Sequence, residues 1–81
     1  MYTVEVFVTY KESILDPQGQ AIMQGVHQMG YEAVKNIRQG KYFQMEIVKE
    51  VGDVDQAVAD ICDRLLANVN METYRYTIKE V

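Results

Sequence analysis

The chain has 81 residues and a mass of 9.4 kDa, one domain's worth, and at this size only roughly 60–65% of the unfolded surface can be buried. A single cysteine, Cys62, excludes an internal disulfide, and with a single histidine, His27, it leaves too few ligands for a structural zinc site, so self-association is the expected supplement. Twelve acidic residues against eight basic, a net charge of −4, offer no Lys/Arg cluster for nucleic acid or an anionic membrane, and the 48% hydrophobic content is too high for a disordered chain.

The N-terminal MYTVEVFVTY carries no basic leader and reads as no signal peptide. No apolar run approaches the roughly 20 residues of a membrane helix. A cytoplasmic protein with a single domain over residues 1–81 is the expectation.

Tyr2 to Tyr10 alternates cleanly, with Val4, Val6 and Val8 on one side and Thr3, Glu5, Phe7 and Thr9 on the other. That pattern predicts a half-buried strand. In the connection KESILDPQGQ, Asp16 is a strong helix N-cap and Pro17 suits the first helical position. A helix from about Pro17 to Met29 follows, with Ala21, Ile22, Val26 and Met29 on one face and Gly30 as its stop.

Two extended runs come next, separated by Gln39-Gly40. The first, about Glu32 to Arg38, alternates badly because Val34 and Ile37 are three apart; a bulged or twisted edge strand is expected. The second, Tyr42 to Lys49, places Phe43, Met45 and Ile47 on one face, and Gly40 suits a tight hairpin between the runs.

Asp53 caps a second helix, with Gln56 three residues on. Val54, Ala57, Val58, Ile61, Cys62, Leu65 and Leu66 form its apolar stripe, and Ala67-Asn68 ends it, Asn tolerating a left-handed cap. Glu72 to Val81 alternates again, with Tyr74, Tyr76 and Ile78 on one face. The expected fold is therefore α+β: a two-layer sandwich, β-α-β-β-α-β, with a mostly antiparallel four-stranded sheet and two helices on one face. Aromatic and Thr residues on the opposite sheet face are rarely left bare, so a second subunit is expected to cover that face or a sheet edge.

Little in the chain looks catalytic. Cys62 falls on the apolar stripe and reads as a small buried hydrophobe; His27 reads as structural or surface. Asp53, Asp55, Asp60 and Asp63 read as the solvated face of the second helix. Gln24-Gly25-Val26 matches a fragment of the acylphosphatase signature, but it falls inside a helix, and no Arg precedes Arg38 to bind phosphate. An ACT-like regulatory module is the alternative reading; it requires a glycine-bearing ligand loop after the first strand, which Lys11 to Gln18 lacks.

Three segments together carry a resemblance: KESILDPQGQA (Lys11 to Ala21), RQGKYF (Arg38 to Phe43) with Tyr31 and Val34 upstream, and CDRLLAN (Cys62 to Asn68) leading to Glu72 and Tyr74. In combination they resemble the small PurS-type subunit of phosphoribosylformylglycinamidine synthase over essentially the whole chain. After Asn68 the chain reads Val69-Asn70-Met71-Glu72-Thr73-Tyr74, where family members commonly read Pro-Val-Ile-Glu-Asp-Tyr.

The resemblance implies a non-catalytic homodimer or tetramer that bridges a glutaminase subunit and an ATP-dependent synthetase subunit and assists ammonia transfer. It implies no cofactor in this subunit, ATP and magnesium being used by the synthetase partner. Contacts to the partners are expected at Lys11, Asp16, Gln18, Arg38, Lys41, Asn68, Glu72 and Tyr74. Arg38 and Lys41, on the expected hairpin tip, are expected to project into solvent without an evident internal carboxylate partner.

Overall fold

The computed structural model describes all 81 residues. Its centre is β1 (Tyr2–Tyr10), flanked by β2 (Gly40–Ile47) and β3 (Glu72–Glu80) in an antiparallel sheet of order β2-β1-β3. The register sets Val6 opposite Phe43 on one side and Tyr76 on the other. Side chains alternate across a strand, so Val4, Val6 and Val8 share one face with Phe43, Met45, Ile47, Tyr74, Tyr76 and Ile78.

That face is the core. Two helices interrupt the strand order: α1 (Pro17–Gln28) between β1 and β2, and α2 (Val54–Ile61) between β2 and β3. Only α2 packs on the sheet. Val58 and Cys62 join Val4, Val6 and Val8 as the fully buried cluster, with Val54, Leu66 and Ala67 half-buried around it. Asp53 caps α2 through the N–H of Gln56 at 3.1 Å, as its sequence position predicts.

Three expectations need correction here. The sheet has three strands, because Glu32 to Arg38 joins no ladder. With no strand before Gly40, no hairpin forms there. Val34 and Ile37, three apart, are the half-buried residues of a return segment running back beside α1, and that spacing suits packing on a helix. The two helices also do not share a layer, since α1 contributes nothing to the core and buries only Gly19.

The second helix departs in its last turn. From Cys62 to Leu66 the backbone winds as a π-helix, closed by the Ala67 N–H on the Cys62 carbonyl at 3.0 Å. The wider turn moves Leu65 off the apolar stripe, leaving it 78% exposed. Asn68 does not adopt the expected left-handed cap; positive φ occurs only at Gly30, which stops α1 as expected, and at Gly52.

At the opposite end of the sheet the chain ends pair through their backbones. The Val81 N–H donates to the Met1 carbonyl at 2.9 Å, and the Met1 amino group to the Val81 carbonyl at 3.2 Å. Lys49 closes the same end on Glu80 at 2.6 Å.

Burial pushes the Cys62 thiol pKa up, with the neighbouring Asp63 charge adding to it. A thiol reagent is therefore expected to modify Cys62 only as fast as the fold opens, and at once in denaturant. Rapid labelling of the native chain at mildly alkaline pH is the result that contradicts this packing.

Candidate functional site

Seven of the eight residues expected at partner contacts converge on one end of the sheet, where β1 finishes and β2 and β3 begin. Asp16 is the fixed point. Its Oδ1 accepts the Gly19 N–H at 2.9 Å, the N-cap bond expected from Asp16-Pro17. Its Oδ2 accepts the Gln39 N–H at 2.7 Å, tying the start of α1 to the residue before β2. These two donors, Gly19 first and then Gln39, hold the Asp16 carboxyl below its usual range. Gly19 permits the close approach, since a Cβ there would collide with the Ile37 carbonyl.

Arg38 and Lys41 are not free. The Arg38 guanidinium donates to the Tyr10 carbonyl at the end of β1. Lys41 Nζ lies 3.4 Å from Glu72 Oε2 and 3.3 Å from the Leu66 carbonyl, one of the acceptors near the end of the π turn. Lys41 remains half-exposed while Glu72 is largely covered. The expectation that neither cation has an internal carboxylate partner is thus corrected at Lys41, whose partner is Glu72, while Arg38 meets a backbone carbonyl. Register explains it: Lys41, second in β2, lies beside Val8, and Glu72 opens β3 beside Tyr10, so both side chains reach across the end of the central strand.

Glu72 also accepts the Asn68 N–H at 2.8 Å, and the Asn68 side chain accepts the Asn70 N–H at 3.1 Å. The loop that departs from the family pattern is therefore closed on itself by Asn68. Lys11 anchors it from the other side, donating its backbone N–H to the Met71 carbonyl at 2.9 Å. Tyr10, Gln18, Gln39, Gly40, Lys41 and Glu72 line a polar cleft of about 190 Å³.

Tyr74 stands apart from this end cluster. It lies one turn of the pleat further along β3 on the core face, stacked on Tyr76 with ring centroids 6.3 Å apart. Hydrogen bonding to Asp63 raises its phenol pKa.

Two participants escaped sequence reasoning, the Tyr10 carbonyl and the Gln39 N–H. Both act through the backbone, which carries no residue-type signal. His27 is held at 2.8 Å from the Val34 carbonyl, bracing the return segment against α1.

The opposite sheet face carries its own network. Arg75 lies 4.5 Å over the Phe7 ring, Phe7 meets Tyr42 at 5.1 Å between centroids, and the Tyr42 hydroxyl donates to Glu5 at 2.7 Å. That bond to Glu5 raises the Tyr42 phenol pKa. No helix is long and apolar enough to cross a membrane.

Against known proteins, a family model described as PurS, phosphoribosylformylglycinamidine (FGAM) synthase, matches residues 3–80. The PurS subunit of phosphoribosylformylglycinamidine synthase from Bacillus subtilis (strain 168) is 47% identical over 81 residues, covering 100% of this chain and 96% of that protein. A crystal structure of B. subtilis PurS superposes with a TM-score of 0.94 at 46% identity, over 99% of this chain and 100% of that one. PurS of Methanocaldococcus jannaschii superposes with a TM-score of 0.89 at 25% identity, over 100% and 99% of the two chains. The fold also occurs in the Thermotoga maritima PurLQS structure, with a TM-score of 0.77 at 24% identity, over 98% and 99%. A match over nearly the entire sequence, joined to near-complete agreement in fold, assigns the chain to the PurS family of phosphoribosylformylglycinamidine synthase.

Proposed function

We propose that this chain is the small, non-catalytic, bridging subunit of a phosphoribosylformylglycinamidine synthase in de novo purine biosynthesis. It joins a cytoplasmic glutaminase subunit to an ATP- and magnesium-using synthetase subunit, works as a self-associated subunit, and assists ammonia transfer between them. One observation carries the reading: the charged residues at the end of the sheet are fixed by backbone and cross-strand bonds around an open cleft. Such an arrangement is pre-organised for docking, since little side-chain freedom is left to lose on association. The groups with nucleophilic or base character are engaged elsewhere, Cys62 inside the core and His27 on the Val34 carbonyl.

The chemical need for a bridge is plain. Ammonia set free in water at neutral pH is mostly protonated and no longer nucleophilic, so transfer between two active sites requires shielding from solvent. A subunit that fixes how the other two dock supplies that shielding without touching the reacting atoms.

The test is reconstitution with and without this chain. The chain alone is expected to hydrolyse neither glutamine nor ATP. Leaving it out of a mixture of the two larger subunits is expected to abolish glutamine-dependent amidine formation while ammonia-dependent formation persists. Equal loss of both reactions, or turnover by the isolated chain that a point change in it removes, contradicts the proposal.

A further inference from the structure

Two of the three arginines have an oxygen partner in the chain, Arg38 on the Tyr10 carbonyl and Arg64 beside Asp60. Arg75 has none. Its guanidinium sits 4.5 Å over the Phe7 ring and enters no ion pair. A ring face attracts a cation through its quadrupole and offers no lone pair, so the N–H fork that matches a carboxylate or phosphate stays free. That fork stands on the sheet face turned away from the core.

The register sets a particular company around it. Phe7 lies between Arg75 on β3 and Tyr42 on β2, and Thr9 lies between Thr73 and Gly40. Gly40 adds no side chain to this row, and a Cβ there would collide with the Val8 carbonyl and the Thr9 methyl. What results is a hollow of about 420 Å³ whose lining includes Phe7, Thr9, Gly40, Tyr42, Thr73 and Arg75, a size within the range of small-molecule sites. The Tyr42 ring is 51% exposed. It is already fixed in place, by its hydroxyl on Glu5 at 2.7 Å and by Phe7 at 5.1 Å between centroids. A ring held this way loses little freedom when something stacks on it.

These groups suit a ligand with two unlike ends. An exposed, immobilised aromatic face takes a planar base by stacking. A free guanidinium takes a phosphate through two parallel hydrogen bonds, and the Thr9 and Thr73 hydroxyls supply neutral donors beside it. Tyr42 and Arg75 sit on the two flanking strands, two inter-strand spacings or about 10 Å apart, the reach of a mononucleotide from base to phosphate. No second free cation stands in the row for a further phosphate: Lys41 is turned to Glu72, and Lys79, four residues along β3 from Arg75, is paired with Glu5. A net charge of −4 disfavours a nucleic-acid strand, which leaves a single nucleotide as the fit.

We infer that the outer sheet face binds a nucleoside monophosphate, its base stacked on Tyr42 and its phosphate held by Arg75 beside Thr9 and Thr73. Gly40 and Lys41 border both this hollow and the polar cleft at the end of the sheet. A bound nucleotide therefore touches the strand ends that carry the proposed docking residues. Binding at this face does not depend on the bridging role.

The experiment uses the full chain and AMP, with adenosine and ribose phosphate as its two halves. Titration calorimetry is expected to show one AMP per chain with a Kd below about 1 mM, and each half bound at least about tenfold more weakly. Arg75→Gln, at an exposed position, is expected to keep the wild-type melting temperature and to lose about tenfold in AMP affinity, bringing AMP level with adenosine. In amide NMR spectra AMP is expected to shift Thr9, Gly40 and Thr73 and to leave α2 in place. Absence of saturation by about 10 mM AMP, or AMP binding by Arg75→Gln as tight as by the wild-type chain, overturns the site. Self-association weakened by Arg75→Gln, with no AMP bound by the wild-type chain, assigns the face to a second copy and overturns it equally.

Discussion

Asp16→Ala is expected to lower the melting temperature by about 5–10 °C, the largest loss from any single polar substitution in the chain. Two backbone N–H groups, of Gly19 and Gln39, lose a charged acceptor together. The residue is 8% exposed, so water replaces the carboxylate poorly. The damage extends beyond one helix cap, because the same side chain ties the start of α1 to the residue before β2. Self-association and complex formation are therefore expected to fall with stability, by differential scanning calorimetry and sedimentation on the same preparation.

The pH dependence follows from the lowered carboxyl pKa. A carboxylate held below its ordinary value of 3.8 in the folded chain stabilises that chain fully above this pH. Its contribution is lost as pH falls through the folded value, because the unfolded chain takes up the proton first. Acid titration of the wild-type chain is expected to show stability declining below about pH 4. Asp16→Asn keeps an acceptor oxygen for the cap but loses the charge, and its stability curve is expected to be flatter over the same range. An equally steep decline in Asp16→Asn assigns the acid sensitivity to other groups.

Glu72 and Lys41 provide the second large effect, through contrast. Glu72→Ala removes the acceptor for the Asn68 N–H and the partner of Lys41, loosening the exit of α2 and the start of β3 together. A loss of roughly 1–2 kcal/mol is expected, as for a hydrogen-bonded charged group with partial access to water. Lys41→Ala leaves the Asn68 bond intact, and the pair it breaks is half-exposed, so less than about 1 kcal/mol is expected. From its place in the proposed docking cleft, Lys41→Ala is nevertheless expected to reduce complex-dependent amidine formation about tenfold at limiting subunit concentration. Wild-type activity at that concentration, or a melting point as low as that of Glu72→Ala, removes Lys41 from the docking surface.

The parts of the fold governed by side-chain period were legible. Val4, Val6 and Val8 announce β1 and become the fully buried centre of the molecule, and the stripe containing Val58 and Cys62 announces the helix that covers them. Asp16-Pro17 announces the start of α1 for the same local reason. Where backbone geometry takes over, the pattern misleads. Leu65 belongs to the stripe at 3.6 residues per turn and leaves it when the turn widens. Val34 and Ile37 carry the spacing of residues facing a helix, yet they sit in a run whose composition suits a strand.

The end cluster was legible as a set of residues and illegible as a structure. Asp16, Arg38, Lys41 and Glu72 could each be picked out by type, but their bonds run to a distant N–H, to a carbonyl and across strands whose register no local pattern specifies. The expectation that Lys41 lacks a carboxylate partner failed for that reason.

The backbone pairing of Met1 with Val81 has a practical meaning for anyone altering the connectivity of this chain. The two ends lie side by side at the end of the sheet remote from Asp16 and Glu72, so a short linker can join them without crossing the cleft. A circular permutant opened at the exposed turn around Gly52 keeps every strand pairing of the sheet. Affinity tags at either end, for the same reason, point away from the surface proposed to meet the larger subunits.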